Sequence, residues 1–210
     1  MKRMFLASEA KDLESWSKLE EFIDGFKGKR IAYIPTAANG EEPYGMWTNG
    51  DTWKLVNQSG ASVKAVVLEE YKNSSVLKEF ENIDVIWFAG GMPGYLLYWI
   101  RRVELDKKLP EILEKETFYV GSSAGSMIVS KTQYLSEIYI GEQEIGASIF
   151  PGLGLIDFEI YPHYEDELLP KIKRLWKKEY GGLYLLKNGE AITVVGDKIE
   201  VLGEKRVIIN

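Results

Sequence analysis

Residues 117–126, TFYVGSSAGS, pass from a β-branched and aromatic run into small residues spaced Gly121-x-Ser123-x-Gly125. That order confines the local structure to a buried strand, a sharp turn and a closely packed helix, because side chains flanking such a turn would collide with the elements it joins. Residues 124–130 continue as a small, apolar segment suited to that helix. A serine hydroxyl is a weak nucleophile at its free pKa and becomes effective when a strained turn presents it to a base. Ser123, with glycine two residues away on both sides, is therefore the candidate nucleophile, and Ser122 and Ser126 are the competing hydroxyls.

The same strand-then-helix alternation runs through the first half of the chain. Apolar runs predict strands over 4–7, 30–35, 62–68, 85–89 and 117–121. Between them, helical spacing appears over 13–26, which Gly28 ends, over 51–58, briefly over 76–80, and over 95–102 and 109–113. Residues 36–50, rich in Gly, Pro, Asn and Thr, read as a loop. Past residue 130 the pattern changes to a strand or hairpin over 134–149, a strand over 156–160 and an amphipathic helix over 165–178. Short strands over 183–186, 191–195, 199–202 and 207–209 follow, joined by Asn-Gly and Gly-Asp turns. The pattern predicts an α/β fold: a doubly wound, mostly parallel sheet with helices on both faces and a short antiparallel C-terminal extension, in a single domain over 1–210.

Composition narrows the partners. With 210 residues, 45% hydrophobic and 28% charged, the chain has material for one full core. A net charge of −6 without dense Lys/Arg runs argues against nucleic acid, since phosphate contacts need clustered cations. The most basic stretch, KIKRLWKK at 171–178, suits a solvated helix face. The absence of cysteine removes disulfides and thiolate chemistry. The N-terminal apolar cluster is only four residues long, and no run approaches 18 apolar residues, so no membrane association is expected and the location expected is cytoplasmic.

A serine nucleophile needs a base, and the chain has one histidine, His163, in Tyr161-Pro162-His163-Tyr164. Pro162 favours extended geometry before it and marks a strand end, where a parallel sheet places its functional loops. A single histidine and no cysteine leave little for a zinc site, so no metal and no cofactor are expected. Glu165, Asp166 and Glu167 suit the start of a helix, where carboxylates meet the positive end of its dipole.

Taken together, IAYIPTAAN (31–39), WFAGG (87–91), GSSAGS (121–126), YPHY (161–164) and KNGEAI (187–192) resemble, in order, the peptidase E (aspartyl dipeptidase) family, which also includes cyanophycinase-like enzymes. The resemblance implies a sheet related to class I glutamine amidotransferases, a Ser-His-acid triad, and hydrolysis of short peptides. It assigns Ser123 as nucleophile and His163 as base. Two positions depart from the family pattern. Met92-Pro93-Gly94 follows Gly90-Gly91 where the family has Asn-Thr, and Asn188 stands near the family's acid, with Glu190 two residues on. An amide can orient a histidine but cannot stabilise imidazolium by charge. Either Asn188 or Glu190 can be the third member, Glu190 because residues two apart in extended chain point the same way.

The strand-end positions of Gly90, Gly91 and Ala124 make the backbone N–H groups of Gly91 and Ala124 the oxyanion candidates. Tyr44, Trp47 and Trp53 are candidates to wall a pocket. Arg101 and Arg102 suit a substrate carboxylate or a solvated helix end, and Glu137, Asp157 and Glu159 suit structural roles. The substrate expected is a small peptide, and assembly as a homodimer is left open. Two other readings stay open as well: an acyl hydrolase of another substrate class, and a non-catalytic binding or regulatory homologue with a degenerate triad.

Overall fold

The computed structural model describes residues 1–41, 43–138 and 151–209. Five strands follow one another in parallel: β1 (Arg3–Ala7), β2 (Arg30–Ile34), β3 (Ser62–Ala65), β4 (Val85–Phe88) and β5 (Phe118–Ser122). Later come β6 (Glu159–Tyr161), β7 (Leu183–Leu185), β8 (Ala191–Val195), β9 (Lys198–Leu202) and β10 (Val207–Ile208). The main sheet has seven strands in the order β3-β2-β4-β5-β1-β8-β9, and a separate three-stranded sheet runs β10-β7-β6. β8 joins β1 antiparallel and β9 joins β8 antiparallel, which is the expected C-terminal extension.

Strand periodicity divides the core. Met4, Leu6, Ala32, Ile34, Ile86, Phe88 and Tyr119 pack to one side, while Phe5, Ala7, Ile31, Tyr33, Val85, Trp87 and Val120 pack to the other. The helices in chain order are α1 (Leu13–Phe22), α2 (Thr36–Asn39), α3 (Asp51–Gln58), α4 (Pro93–Arg102), α5 (Leu105–Glu114), α6 (Ala124–Met127), α7 (Tyr134–Ile138) and α8 (Leu169–Leu175). Leu19 of α1 and Val56 of α3 cover the second side, and α4, α5 and α6 cover the first. Asp12 caps α1 by accepting the Glu14 N–H at 2.9 Å, and Pro93 sits at the start of α4, where its missing N–H costs nothing. No helix among the described residues is long and apolar enough to cross a membrane.

Some expectations need correction. The strand or hairpin over 134–149 is wrong at its start, since Tyr134–Ile138 is helical, and 139–149 lie outside the described residues. The single helix over 165–178 is broken. A 3-10 turn at Asp166–Leu168 leads into α8, and Trp176 is extended so that its ring enters the core of the small sheet, with its Nε1 donating to the Gly181 carbonyl at 2.8 Å. The loop at 36–50 contains α2 and a 3-10 turn at Met46–Asn49.

β6 carries a buried carboxyl, Glu159, only 4% exposed, which accepts the Thr132 hydroxyl and the Leu135 N–H. Burial pushes its pKa up to about 8, against the smaller downward pull of the Leu135 N–H. Between pH 4.5 and 8 the unfolded chain gives up this proton while the folded chain keeps it, so stability falls across that window by roughly 1.4 kcal/mol per unit of separation. Urea midpoints measured against pH should therefore decline from pH 5 to 8, and Glu159→Gln should flatten the decline. An equal slope in both proteins would rule out Glu159 as its source.

Candidate active site

At the C-terminal end of β5 the chain reverses at Ser123, with φ 50° and ψ −110°, and α6 begins at Ala124. A non-glycine residue held there stores on the order of 1–3 kcal/mol, so its surroundings must hold it. The Ser123 N–H donates to the Ala7 carbonyl at 3.1 Å, and Ser123's own carbonyl accepts the N–H groups of Ser126 (2.8 Å) and Met127 (3.0 Å). Tyr119, fully buried, donates its hydroxyl to the Gly125 carbonyl at 2.6 Å. A Cβ on Gly121 would lie 2.5 Å from the Gly125 oxygen, and one on Gly125 would enter the Phe88 backbone. The flanking glycines are thus what lets helix, turn and strands meet.

The three neighbouring hydroxyls are used differently. Ser122 Oγ is buried and accepts the Ala10 N–H at 3.1 Å, and Ser126 Oγ is buried and donates to the Ala7 carbonyl at 2.8 Å. Only Ser123 Oγ meets the imidazole, 3.0 Å from His163 Nε2. His163 sits two residues beyond β6 with φ 53°, its own departure from ordinary backbone. Its N–H donates to Ser8 Oγ at 2.7 Å, and Nδ1 lies 2.8 Å from Asn188 Oδ1.

Asn188 stands in the turn between β7 and β8, closed by the Glu190 N–H to the Lys187 carbonyl at 3.1 Å, with Gly189 at φ 85°. Because 187–190 is a turn, the extended-chain alternation that would have put Glu190 at the ring does not apply. The Glu190 carboxylate instead accepts the N–H groups of Lys187 (2.8 Å) and Glu204 (3.0 Å) and pairs with Arg206 at 2.7 Å. Glu190 thus fastens the turn that presents Asn188, and Asn188 is the group that meets the ring.

Gly90 and Gly91 follow β4 beside the serine. A Cβ on Gly90 would be 3.3 Å from that of Ser123, and Gly91, at φ 133°, runs so close to Ala37 that no side chain fits. Ala124 opens α6, where its N–H has no acceptor within the helix. Met92-Pro93-Gly94 start α4, with the Met92 N–H donating to the Ala37 carbonyl at 3.0 Å.

Ser123, His163, Gly90 and Gly91 open onto a cleft of about 570 Å³. Trp47 and Trp53 line it, meeting edge-on with centroids 4.9 Å apart, and Tyr33 packs 5.2 Å from Trp53. Burial pushes the Tyr33 phenol far up, so it is present as a neutral hydroxyl. Tyr44 does not line the cleft and donates to Glu70 at 2.8 Å. The Arg101 guanidinium donates to the Pro151 and Gly152 carbonyls, and it lines a different depression together with Arg102. Asp157 pairs with Lys131 at the surface, and nothing is described of the Glu137 side chain. Among the described residues no group of three or more His, Cys, Asp or Glu is arranged to hold a metal.

Ser8 is the site residue that sequence reasoning passed over. Fully buried at the end of β1, it touches both His163 and Asn188. The available signal was a lone hydroxyl closing the apolar run MFLA.

The chain is similar in sequence and fold to known peptidases. The sequence model of Peptidase family S51 matches residues 4–202, from within β1 to the end of β9. An uncharacterized peptidase of Listeria monocytogenes is 28% identical over 203 residues, 95% of this chain and 97% of that protein. Peptidase E of Pasteurella multocida is 24% identical over 205 residues, 91% of this chain and 82% of its own. A crystal structure of a Listeria monocytogenes EGD-e protein assigned to peptidase E superposes with a TM-score of 0.80, at 26% identity, over 96% of this chain and 98% of the other. With a family match running almost from end to end, the chain belongs to peptidase family S51 and is a serine-type peptidase.

Proposed function

We propose that the protein hydrolyses short peptides through an acyl-enzyme on Ser123. The observation carrying this reading is the imidazole of His163 between two oxygens, Ser123 Oγ at 3.0 Å and Asn188 Oδ1 at 2.8 Å. With the proton on Nδ1 donated to Asn188, Nε2 is free to take the Ser123 proton as Oγ attacks the scissile carbonyl. The tetrahedral oxyanion is received by the backbone N–H groups of Gly91 and Ala124. His163 then gives its proton to the leaving amine, and a water repeats the sequence to release the acid. Asn188 fixes the tautomer without charge, so the transient imidazolium receives less stabilisation than a carboxylate would supply.

The cleft volume suits a ligand of dipeptide size. Its charge points away from acidic substrates: among the described residues Glu9, Glu41 and Asp51 line it with one basic lining residue, Lys11, which lies 3.2 Å from Glu9, while Lys54 outside the lining pairs with Asp51 at 3.6 Å. A dipeptide panel should therefore show kcat/KM for Ala-X or Lys-X about tenfold or more above Asp-X, a gap of roughly 1.4 kcal/mol. Faster cleavage of Asp-X would overturn this specificity, and no cleavage of any peptide would overturn the function.

A further inference from the structure

We infer that Ser8 is a positioning residue that selects the catalytic tautomer of His163 by locking the amide of Asn188. The inference rests on the proposed roles of Ser123 and His163 and adds a residue from the far end of the sequence to them. Ser8 Oγ accepts the His163 backbone N–H at 2.7 Å, and its own proton goes to Asn188 Oδ1 at 3.3 Å. Asn188 Oδ1 also receives the ring at 2.8 Å, which closes a loop of hydrogen bonds from the backbone of His163, through Ser8 and Asn188, back to the imidazole of His163.

An amide has two ends, and only one of them works here. A carboxylate offers an acceptor whichever way it turns, whereas a rotated Asn188 would aim its NH2 at Nδ1. Nδ1 would then be the acceptor, the ring proton would move to Nε2, and Nε2 could no longer take a proton from Ser123. The rotated amide would also leave the Ser8 hydroxyl without an acceptor, and Ser8 is 0% exposed, so water cannot replace it. The Ser8 proton is thus the element that tells the oxygen of Asn188 from its nitrogen. Ser8 reaches this place because β1 lies between β5, which carries Ser123, and β8, which follows the Asn188 turn. Its N–H continues that pairing to the Glu190 carbonyl at 3.0 Å.

The test is a double-mutant cycle of Ser8→Ala and Asn188→Asp on the full chain, read by steady-state kinetics and by imidazole 15N NMR. The chain has one histidine, so the ring signals need no assignment. Ser8→Ala should lower kcat by about 30-fold with KM within about twofold, since the interaction lost serves proton transfer rather than binding. In the Asn188→Asp background, where either oxygen accepts, the same change should cost less than about fivefold. Ser8 also holds the backbone of His163, but that part is common to both backgrounds and cancels. In the wild type, 15N shifts should place the proton on Nδ1, and Ser8→Ala should shift signal toward the Nε2–H form. Equal losses in both backgrounds, or a wild-type proton on Nε2, would overturn the inference. The NMR readout needs no turnover, so it tests Ser8 separately from the peptidase reading. Should Ser8→Ala not fold, the wild-type tautomer still decides.

Discussion

Ser123→Ala is expected to lower kcat on any cleaved peptide by on the order of 10⁴-fold or more, because the attacking oxygen is gone and the remaining site supplies only binding and oxyanion contacts. Stability should barely move. Alanine inherits the same φ 50° and ψ −110°, so the strain stays, and one hydrogen bond of about 1 kcal/mol to a partly exposed histidine is lost. Ser123→Gly separates the two terms further. It should be equally inactive yet raise stability by about 1 kcal/mol or more, since glycine tolerates the turn. Replacing a strained residue stabilises the fold only when the new residue tolerates the strained backbone, as glycine does and alanine does not. Thermal denaturation beside kcat/KM for the three proteins checks both halves. A Ser123→Ala protein retaining a tenth of the activity would remove Ser123 from the mechanism.

Gly125→Ala is the second large effect, and its sign is diagnostic. Within α6, helix propensity alone favours alanine by about 1 kcal/mol. Against that, the new Cβ would be driven into the Phe88 carbonyl and would lie 2.9 Å from the Phe88 Cβ, inside a core where Phe88 is fully buried. Neither atom is the end of a flexible side chain, so α6 must lift from β4. Overpacking of this kind costs about 3 kcal/mol, which exceeds the propensity gain. The net loss of about 2 kcal/mol corresponds, for a chain of this size, to a Tm lower by roughly 4–8 °C. The lift would also carry Ser123 away from His163, so activity should fall with stability. A rise in Tm would show that the helix and strand are not in the close contact described.

These two effects sit where sequence and structure agree best. The turn at Ser123 was legible because it is local: a strand run, two glycines and a small-residue helix are adjacent in the chain. The β-branched and aromatic strands read well for the same reason, and α3 falls on 51–58 as expected. His163 stood out because the chain has one histidine. What the sequence hid is non-local. Ser8 and His163 are 155 positions apart and meet only through the strand order β5-β1-β8, which no residue pattern encodes. Glu190 seemed able to reach the ring from an extended strand, but the backbone at 187–190 is a turn, and Arg206 claims the carboxylate. The helix over 165–178 had the right periodicity, yet the helix ends at Leu175 and Trp176, extended, is buried in the core of the small sheet. Local propensity was overridden there by packing.

The central claim, that Ser123 forms the acyl-enzyme with His163 as its base, is tested most directly by trapping that intermediate. An activated aminoacyl ester acylates quickly and leaves deacylation as the slow step, so the adduct accumulates. The protein would be acid-quenched within seconds of mixing with the ester and mapped by mass spectrometry. One acyl group on the peptide containing Ser123 is expected in the wild type, and none in Ser123→Ala or His163→Ala. An adduct on another residue, or an adduct on Ser123 that forms as fast in His163→Ala, would contradict the mechanism.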